Sequence, residues 1–192
     1  MSSTAVPVPA RRAAAGQRSD RVDALVDAAM TELRQHGYDG LTVRNVARRA
    51  QVSPASAYTY FASKDHLVAE VFWRRLQRLP APPSNGSVGE RLSCALANLS
   101  LLIAEEPALA AASTTAVLAA DPNVGRLRGR IGAAFNDYLA SALGTNANPA
   151  VLRTLNLALA GALLQAGMGY FTYSELADRM DEVAVLVLRG AA

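Results

Sequence analysis

The feature that most constrains this chain is the period of its apolar residues. They recur every three to four positions almost throughout, and no sustained period-two alternation is found. That pattern builds helices and leaves no material for a sheet. Val22, Leu25, Val26, Ala29 and Leu33 fall at i, i+3, i+4, i+7 and i+11. This spacing predicts a helix from about Asp20 to His36, with Asp20 as its cap and Gly37 as its stop. A short helix from Thr42 to Ala50 follows, with Thr42 capping and Val43, Val46, Ala47 and Ala50 on one side. After Gln51-Val52-Ser53, the pair Ser53-Pro54 opens another short helix that ends near Tyr60 or Phe61. Ser63 caps a fourth, with Leu67, Val68, Val71, Phe72 and Leu76 as its stripe. Pro80, Pro82 and Pro83 with Asn85-Gly86 stop it and mark the one evident boundary.

Beyond that boundary the breakers Glu106-Pro107, Asp121-Pro122, Gly144–Pro149 and Thr172–Ser174 divide the chain into helices. These lie at about 87–105, 107–119, 122–143, 149–170 and 174–189. The expected fold is all-α with about nine helices: a basic arm over 1–19, a module over 20–79 and a bundle over 87–192.

Composition narrows the chemistry. A chain of 192 residues can bury a substantial core without staples. Cys94 stands alone, and His36 and His66 are the two histidines, so neither a disulfide nor an ordinary zinc site is available and no cofactor is implied. The net charge of +3 is unevenly spread: residues 1–79 hold 12 basic and 7 acidic side chains, residues 80–192 hold 7 and 9. A basic front and a mildly acidic rear point to an anionic partner at one end. The first 19 residues lack the apolar segment of a secretory signal and read as a disordered arm carrying Arg11, Arg12 and Arg18. Thr154–Ser174 is free of charge between Arg153 and Glu175, but Asn156, Gln165 and three glycines interrupt it. It reads as a helix buried in protein rather than a membrane span, and the expected location is the cytoplasm.

The 42–60 segment is two short helices around a tight turn. Neither is stable alone, so both must pack on the 20–36 and 63–79 helices. This is the spacing of a helix-turn-helix, whose second helix enters the major groove by its N-terminal residues. Ser56, Thr59 and Tyr60 offer hydroxyls outward, while Pro54 and Ala55 offer small apolar surfaces suited to a thymine methyl. Arg44 on the preceding helix can reach a guanine edge, and Lys64 sits beside a helix N-terminus suited to phosphate.

Leu41-Thr-Val-Arg-Asn-Val-Ala-Arg-Arg-Ala50, Val52-Ser-Pro-Ala-Ser-Ala-Tyr-Thr-Tyr-Phe61 and Ser63-Lys-Asp-His-Leu67, preceded by Gly37-Tyr-Asp-Gly40, resemble the tetracycline-repressor (TetR) family of bacterial regulators. The likeness covers about residues 20–79. It implies phosphate contacts by Thr42, Tyr58 and Lys64, and positions at or near base edges for Arg44, Pro54, Ala55, Ser56, Thr59 and Tyr60, with Ser53 at the cap of the reading helix. Gln51 stands where the family usually has glycine, implying a left-handed residue at a cost of about 1 kcal/mol. Ala55 and Ala57 replace a glycine and a larger aliphatic, and Ala57 implies a shallower anchor. The resemblance further implies a homodimer through the helices at about 149–170 and 174–189, with Gly161, Gly167 and Gly169 allowing close approach. It also implies a ligand cavity between helices at roughly 90–170. The scarcity of charge there points to a small apolar or weakly polar effector.

Ordinary readings stand beside these. Phe61 is expected in the core. Tyr58 is either core or a packed ring with its hydroxyl free for phosphate. Arg48 and Arg49 read as a solvated helix face, and minor-groove insertion of the arm arginines is the less expected reading of that segment. Trp73 is expected between the two halves, His36 and His66 at the surface, and Cys94 as a small buried hydrophobe. Glu105-Glu106 is a carboxylate pair that abuts Pro107 and reads as a helix boundary, so no catalytic constellation is legible. The expectation is a ligand-responsive regulator, most simply a repressor, binding a palindromic operator in double-stranded DNA as a dimer. The alternative is a small-molecule-binding or interaction module without specific DNA binding.

Overall fold

The computed structural model describes residues 9–145 and 147–190. Among them are nine α-helices, one turn of 3-10 helix and no strand. Helix α1 spans Pro9–Gly40 and is broken at Gly37, whose φ of 63° only glycine adopts without strain. The stop therefore falls where the sequence puts it, but the start does not. The helix begins at Pro9 rather than at a cap on Asp20, because Ala10–Gln17 is dominated by alanine and arginine, which continue a helix readily. The segment read as a disordered arm is thus helical from Pro9 onward. Residues 1–8 and the side chains of Arg11 and Arg12 lie outside the described residues.

Helices α2 (Val43–Arg49), α3 (Pro54–Tyr60) and α4 (Lys64–Leu76) follow the expected bounds closely. Each is capped by the residue the sequence nominates. Thr42 Oγ1 accepts from Asn45 N–H at 3.1 Å, Ser53 Oγ from Ser56 N–H at 3.2 Å, and Ser63 Oγ from His66 N–H at 3.0 Å. Between α2 and α3, Gln51 has φ 56°, and it is the one non-glycine residue with positive φ among the described residues. The backbone there closes a Schellman turn: Val52 N–H donates to Ala47 C=O at 2.9 Å and Gln51 N–H to Arg48 C=O at 3.2 Å.

The second part comprises α5 (Val88–Ala104), α6 (Pro107–Val117), α7 (Pro122–Leu143), α8 (Pro149–Gly167) and α9 (Leu176–Gly190), with the 3-10 turn at Tyr173–Glu175. Helix α8 ends three residues short of the expected 170, because Gly169 turns the chain with φ 83°. The proline boundary divides the sequence without dividing the core. One hydrophobic cluster runs from Leu25 and Leu33 through Phe72 and Trp73 to Leu155 and Met180. Helix α4 makes this possible, since Leu67, Val68, Ala69, Val71, Phe72, Trp73 and Leu76 bury more than one of its faces. It packs on α1 as well as on α6 and α7. The linker is itself held: Tyr138 OH donates to Pro80 C=O at 3.0 Å, and Arg91 donates to Gly86 C=O at 2.7 Å and Ala142 C=O at 2.9 Å.

Helix α8 is less buried than its uncharged sequence implies. Val151, Leu155, Leu159 and Ala166 are buried, but Leu157 is 75% exposed and Leu164 40%. By length and apolarity it is the one described helix that could cross a membrane. Its outer flank has no cover within one chain.

Candidate nucleic-acid interface and effector cavity

Helix α2 packs on α1 and on α3, and His66 of α4 meets Phe61 at the end of α3. Ala57 and Phe61, at i and i+4, are buried at 0% and 2% and fix α3 to the module. Their burial turns Pro54, Ala55, Tyr58 and Thr59 to solvent. Tyr58 is 52% exposed, which decides against a core role for its ring. Ser53 Oγ donates to Ser56 Oγ at 2.9 Å, and Thr59 Oγ1 donates to Ser56 C=O at 2.6 Å. Those protons are thus engaged while the oxygens stay able to accept. Tyr60 is half-buried, with the Arg18 guanidinium 5.6 Å from its ring centre, so it is the least available of the nominated base contacts.

On α2, Thr42 and Arg44 are exposed, and no acidic group among the described residues lies within 4 Å of Arg44. Arg49 is different: it pairs with Glu32 at 2.6 Å and bonds Gln35 Oε1 at 2.6 Å, holding α2 to α1. Lys64 is folded back. Its Nζ lies 4.0 Å from the Tyr38 ring centre and donates to Tyr38 C=O at 3.3 Å. Tyr38 OH in turn donates to Asp65, and burial followed by that bond pushes the phenol up. Seven nominated residues, Thr42, Arg44, Ser53, Pro54, Ala55, Tyr58 and Thr59, are therefore exposed. Ser56, Tyr60 and Lys64 are half-buried. His66, expected at the surface, is half-buried against Phe61, and desolvation lowers its pKa. Cys94 is likewise half-buried rather than fully buried.

Three polar links tie this module to the bundle. Arg34 on α1 donates through Nε to Glu106 at 3.0 Å, and a second guanidinium nitrogen reaches the other carboxylate oxygen. Arg75 on α4 pairs with Glu105 at 3.1 Å and approaches Glu106 at 3.6 Å. Ser63 Oγ donates to Asp121 at 2.7 Å. The hydrogen bond from Arg34 holds the Glu106 carboxyl below its ordinary range, and that from Ser63 does the same for Asp121. The carboxylate pair read as a mere boundary does stand at the α5–α6 corner, and it also grips two arginines of the first module.

Trp73, 9% exposed, lies in the same junction with the Arg130 guanidinium 4.4 Å from its ring centre. Beside it opens a cavity of about 750 Å³ lined by α4, α5, α6, α7 and α8, with Tyr173 at its edge. Its walls are mainly apolar, with Phe72, Ile103, Ile131, Phe135, Leu159 and Leu163 among them. Phe72 belongs to α4, the helix that also packs on α1 and whose His66 meets Phe61. The family resemblance implied a cavity but not its residues, because a stripe that lines a void looks the same as one that fills a core.

A helix-turn-helix joined through α1 and α4 to a helical bundle is the architecture of a DNA-binding transcriptional regulator. Residues 25–71 match the model of the bacterial regulatory proteins, tetR family. Over 99% of its length the chain is 44% identical to the HTH-type transcriptional regulator Rv0767c of Mycobacterium tuberculosis, covering 95% of that protein. It is 27% identical to the HTH-type transcriptional repressor KstR of Mycolicibacterium smegmatis, over 74% of this chain and 72% of that one. Among solved structures, a TetR transcriptional regulator from Rhodococcus sp. RHA1 superposes with a TM-score of 0.74 at 21% identity, covering 90% of this chain and 97% of that one. The chain belongs to the TetR family.

Proposed function

We propose that this regulator is a cytoplasmic homodimeric repressor that binds a palindromic operator and releases it when a small molecule fills the chamber. The observation that carries the reading is Phe72: one side chain on α4 lines the chamber, while His66 in the first turn of the same helix meets Phe61 at the end of α3, with ring centres 5.7 Å apart. A ligand that displaces Phe72 or α6 acts on α4 directly and on α1 through Glu106. Only a ligand that prefers one of two arrangements can shift operator affinity; a hundredfold loss needs a coupling of about 2.7 kcal/mol.

Two-fold pairing has physical support. A single short reading helix makes too few contacts for specificity, and a dimer doubles them across two half-sites about one helical turn apart. The exposed apolar residues Met168, Val185 and Leu186 on and beside α9 offer the face for it. Of the three glycines expected at that face, Gly167 is used within the chain. A Cβ there would stand 3.2 Å from Thr114, so this glycine lets α6 and Tyr173 close against α8. Within this reading, Thr42, Tyr58 and a Lys64 swung off Tyr38 meet phosphates. Arg44, Pro54, Ala55, Ser56 and Thr59 face bases, with Ser53 at the helix cap. Selection of bound duplexes from a random DNA pool at physiological salt tests it: enrichment of one inverted repeat supports the reading, and a folded protein that enriches nothing refutes it.

A further inference from the structure

The chamber is not uniformly apolar, and its exceptions sit at two ends. Ser113 is 5% exposed, and its Oγ has no hydrogen-bond partner; the Tyr173 hydroxyl is buried and equally unpartnered. Both residues line the chamber. Native proteins rarely leave buried hydroxyls unmatched, since each costs stability until something bonds it. Tyr173 and Thr114 belong to the same end, because a Cβ on Gly167 would meet Thr114 at 3.2 Å and the Tyr173 hydroxyl at 3.4 Å. Ser113 is the next residue to Thr114.

The other end is marked by Arg153, the only charged side chain lining the chamber among the described residues, with Asn136 and Asn156 beside it. Asn156 Nδ2 donates to Asn136 Oδ1 at 3.4 Å, which holds that corner together. Arg153 is exposed, and no acidic group among the described residues lies within 4 Å of it. From Arg153 to Gly167 helix α8 rises about 21 Å, and Leu159 and Leu163 line the chamber between the two ends.

The geometry points to an elongated apolar effector carrying an anionic group at one end and a hydroxyl or carbonyl oxygen at the other. The anion meets Arg153 and the two asparagines at the mouth. The far oxygen satisfies Ser113 Oγ and the Tyr173 hydroxyl, which no purely apolar ligand can do. This rests on the chamber being the effector site, and it replaces a featureless apolar effector by one with two polar ends.

The test measures direct binding to the purified dimer, without DNA, of two acids that carry a far hydroxyl: 16-hydroxyhexadecanoate, which is flexible, and 3-hydroxycholanoate, which is rigid. Each is compared with its analogue lacking that hydroxyl. At least one of the two binds at least tenfold more tightly than its analogue. Ser113→Ala and Tyr173→Phe each weaken that probe about tenfold and abolish its advantage, yet leave the ligand-free protein as stable or more stable, since an unmatched hydroxyl is removed. A purely structural role predicts the opposite stability change. Arg153→Gln weakens both members of the pair alike, by about tenfold or more. The inference is overturned if neither probe binds, or if the far hydroxyl or Arg153 makes no difference. Operator release is scored separately: a probe that binds with this pattern but leaves DNA binding untouched refutes the effector reading and leaves the two-ended chamber standing.

Discussion

Glu106 is where the two halves of the molecule are most directly joined, so Glu106→Gln is the sharpest perturbation of the junction. The carboxylate is 12% exposed and accepts from two of the three guanidinium nitrogens of Arg34, with Arg75 at 3.6 Å. Arg34 is 55% exposed, so solvent screens most of the Coulomb term and an exposed-pair value applies rather than a buried one. Glutamine keeps the volume and one acceptor, but loses the charge and the two-pronged fit. Together these give a loss of about 1 kcal/mol, or about 2–4 °C in Tm for a chain of this size. The pH dependence has a definite sign. The folded-state pKa is depressed, so the contribution is complete above the ordinary glutamate range and is lost as pH falls through the folded value. Wild type and variant therefore differ at neutral pH and converge in acid. Thermal or urea unfolding from neutral pH down into the acid range reads this, and Arg34→Gln closes a double-mutant cycle with a coupling of about 0.5–1 kcal/mol. In DNA binding, Glu106→Gln retains operator affinity but blunts the response to a chamber ligand. Equal stability at neutral pH, or a gap that widens in acid, would refute the electrostatic account of the junction.

Other outcomes follow from the same geometry. Arg44→Ala weakens operator binding by about 1–3 kcal/mol and relaxes preference at one base position; Lys64→Ala weakens all sequences alike, and loss of discrimination in both would assign the reading role elsewhere. Gln51→Gly removes the left-handed strain at φ 56° at some cost in unfolded-chain entropy, so urea unfolding should show a change between zero and about +1 kcal/mol. A clear destabilisation would mean that the glutamine side chain contributes there. Leu186→Glu, at a 69% exposed position of α9, leaves the fold within about 0.5 kcal/mol of wild type but yields monomers in sedimentation and loses operator affinity. Dimers persisting in that variant would move the interface off this face.

What local chemistry governs was legible from residue order. Thr42, Ser53 and Ser63 cap the helices they were expected to cap, and Gly37 breaks α1 at the expected place. Gln51 takes the left-handed angle that the family resemblance implied. Each of these depends on bonds spanning only a few residues, so spacing alone specifies them. The start of α1 was misplaced because a good cap at Asp20 does not stop a helix when alanine and arginine precede it.

Relations between distant residues were decided only by the tertiary structure. Glu106 reads in sequence as a boundary because its partners lie on α1 and α4, far away along the chain. Lys64 reads as a free cation, although the Tyr38 ring lies under it. Ser113, Arg153 and Tyr173 carry no local mark, and Phe72 belongs to an ordinary apolar stripe; packing places all four around one void. Helical period says which face of a helix turns inward. Whether that face meets another side chain or an empty chamber depends on how five helices cross, and that is a property of the packed molecule.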